Sequence, residues 1–209
     1  MKVLSLVLAC VLPLAAVAAP DVTNFDSTSP GELPEGWIEG VTGTGKPKWG
    51  VEKYAASPSK PKVLKQSGRG DYPWCVNTNV TRLTNGFVQV KFKALAGKED
   101  QAAGLIWRWQ DADNYYVARA NALENNVTIY HTIKGRRTQF KTVHAKVAPD
   151  LWHTLRVDFD GPHFVVTLNG RVMLEADNDK ITSGGAVGLW TKADSVTLFD
   201  DFSWEEKPE

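Results

Sequence analysis

The chain has 209 residues, with 24 Lys or Arg against 24 Asp or Glu, so its formal net charge at neutral pH is zero. A surface that binds nucleic-acid phosphates normally carries a basic excess, so this balance argues against a nucleic-acid partner. Chains of this length commonly form one unit, and we expect a single domain over residues 19–209.

Residues 1–18 have the pattern of a secretory signal peptide. Lys2 supplies a short positive region, an apolar run follows from Val3 to Val17, and Ala16-Val17-Ala18 matches an A-x-A cleavage pattern. The run is too short to span a bilayer, and no later stretch approaches the roughly 20 apolar residues of a transmembrane helix. We therefore expect a secreted or periplasmic protein with no membrane contact after cleavage.

The rest of the chain predicts strands and loops. From Pro20 to Pro73 the Pro, Gly and Ser content predicts long loops around a few short strands, and the tail Glu205–Glu209 is expected to fray. Alternating apolar and polar residues predict strands at Phe87–Leu95, Gly104–Gln110, Tyr115–Asn121, Val127–Ile133, Leu151–Phe159, Phe164–Leu168 and Arg171–Ala176. Turn dipeptides separate them and no helical period is present. The pattern predicts an all-β fold, a two-sheet antiparallel β-sandwich.

The segment from residue 103 to residue 137 carries an unusual load of Arg, Asn and aromatic residues on three predicted strands. Arginines are costly to bury in an apolar core, so Arg108 and Arg119 are expected to point away from it. They share one face with Asn121 if the turn at Asp111–Asn114 pairs the strands so that the numbers of opposing residues sum to an odd value. Such a face offers planar donors for hydroxyls and rings for the apolar sides of sugars, which predicts a glycan-binding groove.

Trp190 and Lys192 extend the predicted binding face. Val187 and Leu189 take the core side of their strand, which leaves Trp190 on the opposite face, next to a polar loop that contains Lys192. Trp190 is a candidate stacking platform for a sugar, and packing at the sheet edge is the alternative.

Metal-ligand patterns are weak, and we expect no catalytic metal and no cofactor. The histidines, His131, His144, His153 and His163, show no metal-ligand spacing. A structural calcium site formed by Asp26, Asp200 and Asp201, near where the terminal strands would meet, remains an open alternative. Carboxylates at strand ends are more often solvated or capping a turn.

Four stretches appear in an order that matches a known family. They are FDSTSPGELPEGW, WRWQDADNYYVARANALENN, WHTLRV and GLWTKADSVTLFDDF. In this order they resemble the bacterial 3-keto-disaccharide hydrolase-like domain, a branch of the concanavalin A-like (laminin G-like) jelly rolls, over nearly the whole mature chain. The resemblance implies a secreted, carbohydrate-directed jelly roll and leaves the reaction open.

The first functional hypothesis is a glycoside hydrolase of the 3-keto-disaccharide type, in which Arg108, Arg119 and Asn121 orient hydroxyls. A 3-keto sugar can lose its aglycone once a proton next to the carbonyl is removed, so the site needs one base and one oxyanion stabiliser.

Three residues are candidate bases: Glu124, His131 and Asp194. Arg119 or Lys192 would stabilise the enolate. The second hypothesis is a non-catalytic glycan-binding module on the same face, with a carbohydrate ligand in either case. A purely structural interaction domain is the third and would lack a polar face.

Overall fold

The computed structural model describes residues 19–208, which form fifteen strands and no helix. The strands are β1 (Asp21–Thr23), β2 (Trp37–Lys46), β3 (Trp49–Lys53), β4 (Lys62–Gln66), β5 (Arg69–Asn77), β6 (Gly86–Ala96), β7 (Ala102–Asp111), β8 (Asn114–Asn121), β9 (Asn126–Ile133), β10 (Arg136–His144), β11 (His153–Asp160), β12 (His163–Leu168), β13 (Arg171–Asp177), β14 (Ala186–Trp190) and β15 (Val196–Glu206). The proposed signal peptide, residues 1–18, lies outside the described residues. Within 19–208 no helix is long and apolar enough to cross a membrane.

The strands form two antiparallel sheets. The eight-stranded sheet has the order β13-β12-β11-β6-β15-β4-β3, with β1 paired to β15, and the seven-stranded sheet has the order β10-β9-β8-β7-β14-β5-β2. Neighbours such as β6 and β15 are far apart in sequence, so the chain crosses repeatedly between the sheets, as in jelly rolls. The predicted two-sheet antiparallel sandwich is confirmed.

The main core lies between the sheets and follows from strand alternation. In β6 the side chains of Val88, Val90 and Phe92 are fully buried, while the residues between them are partly exposed. Trp107 stacks on Tyr116 with ring centroids 5.3 Å apart. Each fully buried large apolar side chain stabilises the fold by about 1.5–3 kcal/mol.

A second apolar cluster lies on the other side of the seven-stranded sheet, which we call the outer face. Its buried members are Trp74, Val76, Ala102, Ile106, Tyr115, Val117, Tyr130 and Trp190. A sheet face that pointed only at solvent would not bury these aromatic rings. Other residues therefore cover part of the outer face, and the candidate site lies on this face.

Two predictions about the chain ends are only partly right. The region from Pro20 to Pro73 holds four complete strands and the start of β5, and β2 alone spans 10 residues. Because β2 is an edge strand with most residues exposed, it shows little apolar alternation in sequence. Glu205 and Glu206 do not fray, since they continue β15 and pair with Phe87 and Gly86.

The calcium alternative is not supported by the contacts of its carboxylates. Asp200 accepts hydrogen bonds from the backbone N and the Oγ of Ser59, at 2.9 and 2.8 Å. The Lys62 ammonium donates a hydrogen bond to the Asp26 carbonyl at 2.6 Å, so a cationic group already lies beside Asp26. Residues 19–208 contain no group of three or more His, Cys, Asp or Glu side chains arranged to hold a metal ion.

Candidate functional site

The register of β7 and β8 places Arg119 and Asn121 on the outer face. Gly104 lies opposite Arg119, and Trp107 lies opposite Tyr116, so the numbers of opposing residues sum to an odd value as the prediction required. The odd-numbered residues of β8 then share one side of the sheet. Trp190 lies over Gly104, where an added Cβ would come within 3.2 Å of its side chain, so Gly104 makes room for the indole.

Arg108 does not join this face, and its predicted placement is wrong. A β-bulge in β7 puts Trp107 and Arg108, consecutive residues, both on the core side, and Trp109 takes the outer side. Arg108 has a left-handed backbone with φ of 49°. Its guanidinium is 5.6 Å from the Phe164 ring of the core.

Backbone carbonyls satisfy the buried Arg108 charge without a carboxylate. Nη1 donates to Ile181 at 2.9 Å, and Nη2 donates to Thr84 at 2.9 Å and to Gly161 at 2.6 Å. Burial lowers the pKa of Arg108 from its ordinary value. Arg108 therefore ties β7 to the loops before β6, after β11 and before β14, and it does not present donors to a sugar.

Four charged side chains form an ionic cluster on the outer face: Asp100, Arg119, Glu124 and Lys192. Lys192 Nζ is 2.6 Å from Asp100 Oδ2, and Arg119 Nη2 is 2.5 Å from Glu124 Oε2. Arg119 Nη1 is 4.0 Å from Asp100 Oδ2 and links the two pairs. The Asp100 and Arg119 side chains are 0% and 2% exposed, whereas Lys192 and Glu124 are 28% and 43% exposed. A buried pair thus holds two charged groups that reach solvent.

Two asparagines fix the geometry of the ionic cluster. Asn121 donates to Asp100 Oδ1, and its own Oδ1 accepts from the backbone N of Leu123 and of Glu124 at 2.9 and 3.2 Å. Asn126 donates to Glu124 Oε2 at 2.9 Å and accepts from Arg119 Nη2 at 2.8 Å. Asn121 is fully buried, so it shapes the loop that presents Glu124 and does not itself meet solvent.

The ionic cluster keeps Glu124 charged. Burial alone would raise its pKa, but hydrogen bonds from Asn126 and Arg119, together with the charges of Arg119 and Lys192, hold the pKa of Glu124 below its ordinary value. At neutral pH the carboxylate therefore accepts hydrogen bonds.

The other two candidate bases lie elsewhere. Asp194 accepts backbone N–H bonds from Lys98, Glu99 and Asp100 at 2.8, 3.0 and 3.1 Å, so it anchors the loop that carries Asp100. His131 is on the core side of β9, with its ring 5.8 Å from that of Phe140. Of the three candidates, the structure brings only Glu124 into the ionic cluster.

The aromatic side of the site is covered in this structure. Trp190 lies on the outer face as predicted, but it is fully buried beneath Tyr72, with ring centroids 5.8 Å apart and planes 15° apart. The guanidinium carbon of Arg137 lies 4.4 Å from the ring centroids of both Tyr72 and Tyr130. Trp190 is therefore not an exposed stacking platform, and the partly buried Tyr72 above it is a ring that reaches the surface.

Sequence reasoning missed Tyr72, Asp100 and Arg137. Arg137 is the last residue of the Arg-, Asn- and aromatic-rich segment 103–137, and that composition was a usable signal. Asp100 and Tyr72 carry no motif, and they join the site because Asp194 positions the loop of Asp100 and β14 pairs with β5.

A cleft of about 560 Å³ opens beside the ionic cluster. Tyr72 and Lys192 form part of its lining, and its other walls include Thr44, Lys46, Arg69, Asp71 and Glu99. Ligand pockets commonly enclose about 300–1,000 Å³, so this cleft has room for one or a few sugar units.

Fold and sequence together place the chain among carbohydrate-related jelly rolls. Residues 25–204 match the 3-keto-alpha-glucoside-1,2-lyase-like domain, and the chain belongs to that family. The resemblance inferred from the sequence is thus confirmed. No curated protein sequence matches the chain.

Solved structures share the fold at low sequence identity. The carbohydrate binding module CBM66 from Bacillus subtilis is 18% identical with a TM-score of 0.66, covering 82% of this chain and 96% of the module. The VIP36 exoplasmic/lumenal domain, in a form bound to Ca²⁺ and Man3GlcNAc, is 10% identical with a TM-score of 0.61, covering 90% of this chain and 91% of that domain. A putative glycosyl hydrolase from Parabacteroides distasonis is 17% identical with a TM-score of 0.52, covering 69% of this chain and 87% of that chain. At these identities the likeness shows the fold alone.

Proposed function

We propose that this chain binds carbohydrate on the outer face of the seven-stranded sheet. One observation carries the proposal: solvent-reaching polar groups of Glu124, Asn126 and Lys192 are held in place by buried partners, and Lys192 lines an open cleft together with Tyr72.

This arrangement matches what sugars offer. Fixed acceptors and donors bind hydroxyls with little loss of side-chain entropy, because the buried groups already hold them. An aromatic ring covers the apolar side of a pyranose. Two of the structural neighbours, a carbohydrate binding module and a Man3GlcNAc-bound domain, support the same ligand class.

Replacing Tyr72 with Ala tests the binding proposal. We expect affinity for a bound oligosaccharide to fall about tenfold, since aromatic contacts contribute about 0.5–1.5 kcal/mol beyond area burial. Tyr54→Ala is the matched control, because Tyr54 also packs against a tryptophan, Trp152, and also has a cation over its ring, Lys93. Titration calorimetry against a panel of oligosaccharides measures both. Equal losses in the two variants, or no binding of any sugar by the wild type, would refute the proposal.

The family match favours a second proposal, that the same face catalyses elimination from 3-keto glucosides. Glu124 would remove the proton from the carbon between the ketone and the anomeric carbon. The electron pair would form an enolate, stabilised by Lys192, and would then expel the aglycone as the anomeric C–O bond breaks. The structural support is that the Glu124 carboxylate is partly exposed and belongs to the same ionic cluster as Lys192.

Glu124→Gln separates catalysis from binding. If Glu124 is the base, release of aglycone from a 3-keto glucoside should fall by more than about a hundredfold, while affinity for the same sugar changes much less. Asp158→Asn is the control, because Asp158 is likewise paired with an arginine at 2.5 Å and 43% exposed, on the eight-stranded sheet. If the wild type binds sugars but releases no aglycone, only the binding proposal remains.

We also propose that the protein is exported, on the strength of the signal-peptide pattern in residues 1–18. Cell fractionation with N-terminal sequencing tests this. A mature protein that starts at Ala19, outside the cytoplasm, supports export, and an intact Met1 terminus in the cytoplasm contradicts it.

A further inference from the structure

We propose that Arg137 binds an acidic substituent of the sugar, so that the preferred ligand is an acidic oligosaccharide, with uronate carboxylates as the main class and sulfate esters as the alternative source of the same charge. This inference rests on the proposed carbohydrate binding at the outer face, and it specifies the substrate class of that site.

Aromatic rings hold Arg137 in a fixed position. It lies on β10, the edge strand of the seven-stranded sheet, opposite Thr132 of β9. Its guanidinium carbon is 4.4 Å from the centroids of Tyr72 and Tyr130 and 5.5 Å from that of Trp190. Cations over ring faces are attracted by the ring quadrupole, so these rings orient the guanidinium.

Arg137 lacks the anion that its neighbours have. Arg119 and Lys192 are paired with Glu124 and Asp100, whereas none of the ion pairs among residues 19–208 involves Arg137. Its Nη1 is buried and finds no hydrogen-bond partner in the part of the chain that the structure describes. A buried donor without a partner is costly, and such groups are few in native structures.

Arg137 is only partly buried, so a ligand anion is best placed to meet the part of its guanidinium that reaches solvent. The two carboxylates of the ionic cluster, Glu124 and Asp100, are already held by Arg119, Lys192 and two asparagines. A planar guanidinium binds carboxylate or sulfate oxygens through parallel N–H donors, which a single hydroxyl cannot match. Tyr72 lies both against Arg137 and in the lining of the cleft, so the charge and the cleft belong to one surface.

Matched ligands test the inference. We would titrate the full chain with trimers of galacturonate, glucuronate and mannuronate, each against its methyl ester, and with a 6-sulfated galactose oligosaccharide against its unsulfated form. We expect at least one acidic member to bind about tenfold or more tightly than its uncharged form at low salt, and the ratio to shrink as salt rises. If only the sulfated oligosaccharide binds more tightly than its uncharged form, the anion that Arg137 binds is a sulfate ester.

Three variants identify the residue responsible. Arg137→Gln should bring the acidic-to-neutral ratio close to one, and Arg137→Lys, which keeps the charge and loses the planar donors, should give an intermediate ratio. Arg136→Gln is the control, because Arg136 is exposed, is adjacent in β10 and alternates to the other side of the strand. Thermal melts check that each variant is folded.

The outcomes separate this inference from the proposed function. Binding of neutral and acidic forms with equal affinity by the wild type overturns the acidic preference and leaves carbohydrate binding intact. A preference for the acidic form that persists in Arg137→Gln also overturns the inference. In that case Arg137 only covers the aromatic cluster. If no member of any pair binds, both proposals fail.

Discussion

Arg108 shows how a single residue can satisfy a buried charge without an acidic partner. Its side chain is 1% exposed, and three different carbonyl groups accept its hydrogen bonds. Polar groups can be buried when they are hydrogen-bonded, and an arginine has five N–H donors to use. The expectation that arginines avoid the core therefore overlooked partners that belong to distant loops.

Arg108→Gln should be strongly destabilising. The shorter side chain leaves carbonyls of Thr84, Ile181 and Gly161 without a donor, and we expect the free energy of unfolding to fall by about 3 kcal/mol or more. Urea denaturation measures the change. Arg171→Gln, at an exposed position, should alter the unfolding free energy by no more than about 0.5 kcal/mol. A loss of similar size in both variants would contradict the structural role of Arg108.

For the strands, the sequence predicted their existence far better than their end points and their bulges. The alternation in β6 reproduces the observed burial, because one face of this strand meets the core and the other is partly exposed, whereas β8 is buried on both faces from Tyr115 to Asn121. The bulge after Trp107 has no such signal, since its left-handed residue is Arg108 and not a glycine. One extra residue moved Arg108 to the core side, and so one of the two arginines on which the groove was built was lost from it.

The loop between β6 and β7 depends on Asp194. Its carboxylate accepts three consecutive backbone N–H groups, which fixes Asp100 in position for Lys192. Burial would raise the pKa of Asp194, but the hydrogen bonds from Lys98, Glu99 and Asp100 outweigh it and hold the pKa below its ordinary value.

Asp194→Asn should lower stability in a pH-dependent way. Because the folded pKa is depressed, the carboxylate contributes stability above the unfolded value of about 3.9, and this contribution is lost as the pH falls through the folded pKa. The difference in Tm between wild type and variant should thus be largest near pH 7 and shrink toward pH 3. Asp179→Asn, at an exposed position, is the control. A Tm difference that stays constant with pH would refute the proposed role of the charge.

For the whole molecule, the fold was predictable and the site only in part. Two sheets with a shared core follow from period-two patterns, which strands such as β6 and β11 carry by themselves. The ionic cluster needs β8, the β6–β7 loop and the segment after β14 to meet, and only the pairing of strands distant in sequence brings them together. Arg119 and Glu124 were found because they lie in the Arg- and Asn-rich segment 103–137, and Lys192 because it lies in a polar loop, whereas Asp100 has no local signal.

Cys75 offers a test of whether both sheets unfold as one unit. The thiol is fully buried in β5, opposite Leu189, and burial raises its pKa well above the ordinary value, so it should not react in the folded protein. In the Cys10→Ser chain it is the one remaining thiol. Tryptophans lie on both sheets, with Trp49 in β3 and Trp74 in β5, so fluorescence reports on the whole sandwich.

We expect the fraction of Cys75 that reacts with a thiol reagent in a brief pulse to rise with urea along the same transition as tryptophan fluorescence, because one core joins the two sheets. The measurement is pulse labelling across a urea series. Reaction of Cys75 at urea concentrations where fluorescence is still native would show that the seven-stranded sheet opens on its own, and would contradict a single cooperative domain.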